Sequence, residues 1–212
     1  MKKILISLSA VAVLFAACNQ QKNDEQTHVG MNHGETKTEN VMMQAMDKSM
    51  MDMHKAKMTG NADYDFASMM IPHHEGAVAM AEDVVKSGKS AELIAFSKNV
   101  IIAQQQEITM LKEFLKTASQ RPSANAEAFK KALASSMTPM MDGMAKVKLT
   151  NDIDQDFVTL MIPHHQSAVD MAKAYLPFAT DQKANDEAIV GGTVYIYPGV
   201  YNTGSYITVN KE

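Results

Sequence analysis

Two stretches of this chain put thioether and imidazole side by side. "SMMIPHHEGAVAMA" runs from Ser68 to Ala81 and "TLMIPHHQSAVDMA" from Thr159 to Ala172, and in each a methionine follows seven residues after the first histidine. Residues three or four apart are neighbours on a helix, so Met70 lies over His74, Met69 over His73, and Met80 two turns beyond His73 on the same side. A thioether is a poor ligand for hard cations and a good one for soft ions such as Cu(I) and its mimic Ag(I), whereas imidazole serves several transition metals. Outside the cytosol thiolates are drawn into disulfides, which leaves thioethers as the soft donors that persist there. The donor inventory fits copper best. Within each histidine pair the sequence does not choose, because adjacent helical residues point roughly 100° apart.

The elements that must carry these residues repeat at a constant offset of 91 positions. Met46, Met50 and Met53 map onto Met137, Met141 and Met144; Asp63, Asp65, Phe66 and Met70 map onto Asp154, Asp156, Phe157 and Met161; His73, His74 and Met80 map onto His164, His165 and Met171. Two copies of one helix pair follow from this. In the first copy Met42, Met46, Met50 and Met53 recur at helical spacing from Val41, and a helix ending near Thr59-Gly60 is expected. Asn61 or Asp63 can cap a second helix reaching about Lys86, and a third is expected over about Ala91 to Thr117 before "SQRPSAN" breaks the pattern. Pro72 and Pro163 lie either inside the motif helix, bending it ahead of the histidines, or at its first turn, and spacing alone leaves both open. The duplicated aspartates lie near helix starts, where capping and dipole terms explain them. Beyond Phe178 the second copy has no third helix. Instead "GGTVYIYPGVYNTGSYITVNKE" alternates β-branched and aromatic residues around turn signals, which reads as a hairpin or an irregular tail over residues 179–212.

Composition narrows the class. Residues 1–17, "MKKILISLSAVAVLFAA", have the order of a secretory signal: two lysines, an apolar run too short to span a bilayer, then small residues. Cys18 is the only cysteine, and "FAAC" resembles the lipobox of bacterial lipoproteins, which implies lipidation of Cys18 and a membrane-anchored, extracytoplasmic protein. Residues 19–40 are almost devoid of apolar side chains and read as a tether. Without Lys2 and Lys3 the chain carries 18 basic against 24 acidic side chains, a net charge of −6, so nucleic acid is excluded as a partner class. All but one of the 19 methionines lie beyond the signal, where leucine is far scarcer. A chain selected only for packing would favour leucine, since methionine is flexible and specifies a core poorly.

No glycine-rich phosphate loop, no His-Glu-x-x-His and no Ser or mature Cys nucleophile motif is present. Within the helical segments no glutamate stands three residues before a histidine, as di-iron bundles require.

"DFASMMIPHHEGAVAMA" and "DFVTLMIPHHQSAVDMA" resemble the bacterial domain-of-unknown-function family three-zero-five, whose hallmark is Met-Ile-Pro-His-His on a helix of a ferritin-like bundle. The resemblance covers roughly Val41 to Phe178, with the first repeat over residues 41–122 and a truncated second over 123–178. It implies an all-α bundle of about five helices and an extracytoplasmic copper-binding or copper-resistance protein. The implied ligands are Met70, His73, His74 and Met80, then Met161, His164, His165 and Met171, with Met46, Met50, Met53, Met137, Met141 and Met144 completing a Met-rich face. Two departures stand out: Met69 becomes Leu160, and His54 has Ala145 as its counterpart, so the sites are expected to differ in strength.

The expectation is therefore a lipid-anchored protein that is not an enzyme. It binds Cu(I), and Ag(I) by similarity, for sequestration or for transfer to an export system. The competing reading is a Met-rich module that grips a partner protein, with the metal incidental.

Overall fold

The computed structural model describes residues 40–181, all within one compact unit. The signal segment, Cys18, the tether before Asn40 and the tail from residue 182 lie outside the described residues. Those described form an all-α bundle: α1 (Val41–Lys55), α2 (Ala62–Ser87), α3 (Ala91–Thr117), α4 (Ala126–Ser136), α5 (Thr138–Met144) and α6 (Ile153–Tyr175), closed by a 3-10 turn at Leu176–Phe178. Helix α2 is the hub and packs against α1, α3 and α6, while α4 and α5 lie on α6. Among the described residues no helix is long and apolar enough to cross a membrane.

Local chemistry sets the boundaries. Asn40, Asn61 and Ser90 accept hydrogen bonds from the third amide beyond them and so cap α1, α2 and α3; Asp152 does the same for α6 through the amides of Asp154 and Gln155. Helix α1 stops at Lys55, short of the expected end near Thr59-Gly60. The chain beyond turns back so that Thr59 N, Thr59 Oγ1 and Gly60 N all donate to the buried Asp65 carboxylate, at 2.7, 2.7 and 2.9 Å. Gly60 reaches that geometry at φ +84°, where a helix cannot continue.

The second copy repeats the device atom for atom. Thr150 N, Thr150 Oγ1 and Asn151 N donate to Asp156, and Asn151 takes φ 64°, the left-handed conformation asparagine tolerates best among residues with a Cβ. Both aspartates thus clasp the preceding loop rather than cap a helix. Asp65→Ala is expected to lower the unfolding free energy by about 2–4 kcal/mol in urea titration, because three donors lose one charged acceptor.

The other aspartate pair joins the repeats to each other. Asp154 accepts from the amides of Lys89 and Ser90, at the start of α3. Asp63 accepts from the amides of Thr180 and Asp181, the positions 91 residues further on, and also from the Tyr175 hydroxyl at 2.6 Å. Each repeat grips the other at equivalent positions, so the halves pack as an internal pseudo-dimer with the two motif helices in contact.

The correspondence fails where the sequence changes class. The expected helix carrying Met137, Met141 and Met144 is broken: α4 stops at Ser136 and α5 starts at Thr138. Pro139, in the first turn of α5, has no N–H to continue the α4 ladder, and its ring conflicts with the carbonyl four residues back.

The main core lies at one end of the bundle. It gathers Phe66, Leu111, Phe114, Phe129, Leu133 and Tyr175 with Met53, Met70 and Met171. Phe66 and Tyr175 stack at 4.2 Å with nearly parallel rings, the Tyr175 hydroxyl anchored on Asp63.

Candidate metal centre

Both motif prolines lie inside their helices, which decides the alternative that spacing left open. The histidine pairs consequently sit mid-helix and face the α2–α6 contact. Beside that contact α1 approaches α2 closely: a Cβ on Gly76 would stand 2.5 Å from Ser49 Cβ, and Ser49 Oγ donates to the Pro72 carbonyl. The same added Cβ would lie 3.5 Å from His164 Nε2, so Gly76 is where α1, α2 and the second motif converge. In the second copy Met140 and Ser167 occupy the places of Ser49 and Gly76.

The four imidazoles form one cluster. His73 and His164 lie ring against ring with centroids 3.8 Å apart and planes tilted by 30°. His74 flanks His73 at 5.9 Å, and His165 flanks His164 at 5.8 Å. His73, His74 and His164 are buried and His165 is half-buried at its surface.

Hydrogen bonds assign the tautomers. The Ser167 hydroxyl donates to the His164 carbonyl at 2.6 Å, so its own oxygen and that carbonyl are both acceptors toward His73 Nε2, at 3.0 and 3.1 Å. His73 therefore carries its proton on Nε2 and turns a lone pair outward at Nδ1. His165 donates through Nδ1 to the Met161 carbonyl, leaving its lone pair on Nε2. His73 Nδ1, His74 Nδ1 and both nitrogens of His164 are buried without any hydrogen-bond partner.

Burial holds all four rings neutral. It drives His73 and His164 well below 6.5, helped by the other imidazoles, whose protonation would add like charge. His74 is pressed down to about 3, by burial first and by His165 second. His165 is lowered by burial, against the pull of the Met161 carbonyl. Neutral imidazoles with free lone pairs are the form in which histidine binds a metal.

Packing sorts the methionines into two sets. Met53, Met70 and Met171 belong to the apolar core, with Met50 and Met137 packed against it. Met46, Met80, Met144 and Met161 are buried outside that cluster, as are Met42 and Met140, while Met141 is half-buried.

Sequence reasoning missed three residues at the centre. Ser167 and Ser49 carried no signal, since an isolated serine in a helix has many uses. Glu107 approaches His74 Nε2 at 3.3 Å from α3, with both side chains nearly enclosed. Its place inside "VIIAQQQEITMLKEFL" reads as one more polar position on a long amphipathic helix. Among the described residues no three of His, Cys, Asp and Glu stand in metal-holding geometry.

The fold and centre define an all-α protein of two pseudo-symmetric Met/His helix pairs. The family described as Domain of unknown function (DUF305) matches residues 10–115 and again 63–189. The chain belongs to that family, as its motifs led us to expect. No curated protein and no solved structure matches it significantly.

Proposed function

We propose that this is an extracytoplasmic copper-binding protein, anchored by a lipid on Cys18, that holds Cu(I), and Ag(I) by the same chemistry, for sequestration, tolerance or hand-over to an export system. It acts on its cargo by coordination and not as an enzyme. The observation that carries the reading is the cluster of neutral imidazoles with four buried nitrogens lacking any hydrogen-bond partner. A buried polar atom left unsatisfied costs roughly 1–3 kcal/mol, and such atoms are retained where a ligand completes them. His73 Nδ1, His74 Nδ1 and His164 carry the nitrogens left without a hydrogen-bond partner. The thioethers of Met42, Met46, Met80, Met140, Met144 and Met161 are buried soft donors outside the cluster around Phe66 and Tyr175. The rival reading, a Met-rich surface for a protein partner, keeps only scattered exposed methionines such as Met51, Met58 and Met110.

The test is competition for Cu(I) between the purified chain and a chromogenic chelator of known affinity. The parent is expected to win copper from the chelator, and a variant with alanine at His73, His74, His164 and His165 to lose it. Leucine at Met53, Met70 and Met171 should leave both binding and fold intact, since a Met-to-Leu exchange in a core costs less than about 1.5 kcal/mol. Leucine at Met46, Met80, Met144 and Met161 should keep the fold and weaken binding. Unchanged competition by this last set would remove the thioethers from the account.

A further inference from the structure

The two repeats differ in one respect that the motif does not record: α3 stands over α2, and the described residues hold no equivalent helix over α6. Through α3 the first repeat gains a carboxylate. Glu107 Oε2 lies 3.3 Å from His74 Nε2, at ion-pair distance but outside hydrogen-bond geometry, so it acts on that nitrogen through its charge; the Glu107 side chain is 13% exposed and that of His74 4%. The opposite nitrogen of His74, Nδ1, is buried without a hydrogen-bond partner.

We propose that Glu107 is a positioning residue for the first half of the metal centre: it draws the His74 proton to Nε2, leaves Nδ1 as the donor atom, and places a negative charge behind the bound cation. The inference rests on the copper reading above. A neutral imidazole has a single N–H, and a carboxylate beside one nitrogen stabilises the tautomer that carries the proton there. A carboxylate behind a ligating imidazole also raises the basicity of the ligand and offsets the charge of the ion.

His165, the counterpart of His74, is arranged the other way. Its Nδ1 donates to its own helix at the Met161 carbonyl, 2.9 Å away, so Nε2 is the donor. The two halves therefore present opposite ring nitrogens. Among the described residues only the first has a carboxylate in contact with its motif histidine. The first half is the stronger site, and Glu107 is the reason.

The experiment uses the whole chain with Glu107→Gln and Glu107→Leu. In the metal-free protein, long-range nitrogen–proton NMR of the histidine rings should place the His74 proton on Nε2 in the parent. Glu107→Gln should keep it there, because the side-chain amide oxygen still attracts it, and Glu107→Leu should shift it toward Nδ1. In Cu(I) competition the parent should titrate in two unequal steps. Glu107→Leu should weaken the tighter step by about 10- to 100-fold and leave the weaker step unchanged, with Glu107→Gln between the two. A parent with His74 protonated on Nδ1, or a leucine variant with unaltered tautomer and unaltered steps, overturns the assignment. Failure of the parent to bind Cu(I) at all sinks the proposed function instead, and the NMR result still decides whether Glu107 orients His74.

Discussion

His164→Leu is expected to make the metal-free protein more stable at neutral pH, by about 1–2 kcal/mol, while weakening Cu(I) binding at least about tenfold. Both nitrogens of His164 are buried with no partner, and each such atom costs roughly 1–3 kcal/mol that an apolar side chain of similar size does not incur. Loss of the ring contact with His73, at 3.8 Å, takes back part of the gain. Leucine fills most of the imidazole volume, so the cavity penalty that alanine would bring is avoided. Urea unfolding without metal and Cu(I) competition, run on the same preparations, give the two signs. A histidine kept for packing or internal hydrogen bonding would show the opposite result in the first measurement and none in the second. This trade of stability against binding is the pattern of a functional site.

Acidification is expected to unfold the metal-free protein across a narrow range. The folded-state histidine values lie below 6.5, so between 6.5 and those lowered values the unfolded chain binds protons that the folded chain refuses. Stability then rises with pH in that window and is lost as pH falls through it. Each histidine kept neutral in the fold contributes a limiting slope of about 1.4 kcal/mol per pH unit. His73 and His164, the most deeply buried pair, together give nearly 3 kcal/mol per unit as a rough upper figure. Urea midpoints at pH 7.5, 6.5 and 5.5 should therefore drop steeply in the parent. In a His73→Leu/His164→Leu variant the fall should be much shallower, and parallel curves for the two proteins would contradict the assignment of these rings as buried neutral groups.

Much of this architecture was legible in the sequence because its signals are local. The offset of 91 positions paired the motif residues, and Asn61, one of the two caps left open for α2, is the one that accepts from Tyr64 N, whereas Ser90 and Asp152, which cap α3 and α6, carried no reading of their own. The all-α class, and α3 over Ala91–Thr117, needed only period and caps. What stayed hidden depends on partners distant in sequence. Asp65 and Asp156 look like capping residues until the loop folds back on them. Asp63 and Asp154 look the same, yet they bind the halves together across more than 60 residues.

The methionines show the same limit. Periodicity puts Met53 and Met80 on buried faces alike, and only packing separates the one in the aromatic core from the one outside it. The ring-on-ring approach of His73 and His164, and the carboxylate of Glu107 beside His74, required the two motif helices and α3 to be placed in space.

X-ray absorption spectroscopy of the Cu(I)-loaded chain addresses the central claim most directly, since it counts the kinds of atom bound to the metal. The account predicts a first shell of mixed sulfur and imidazole nitrogen, with the imidazole contribution lost when His73, His74, His164 and His165 are replaced. A shell without sulfur, or a spectrum unaltered by removal of the four histidines, would contradict it.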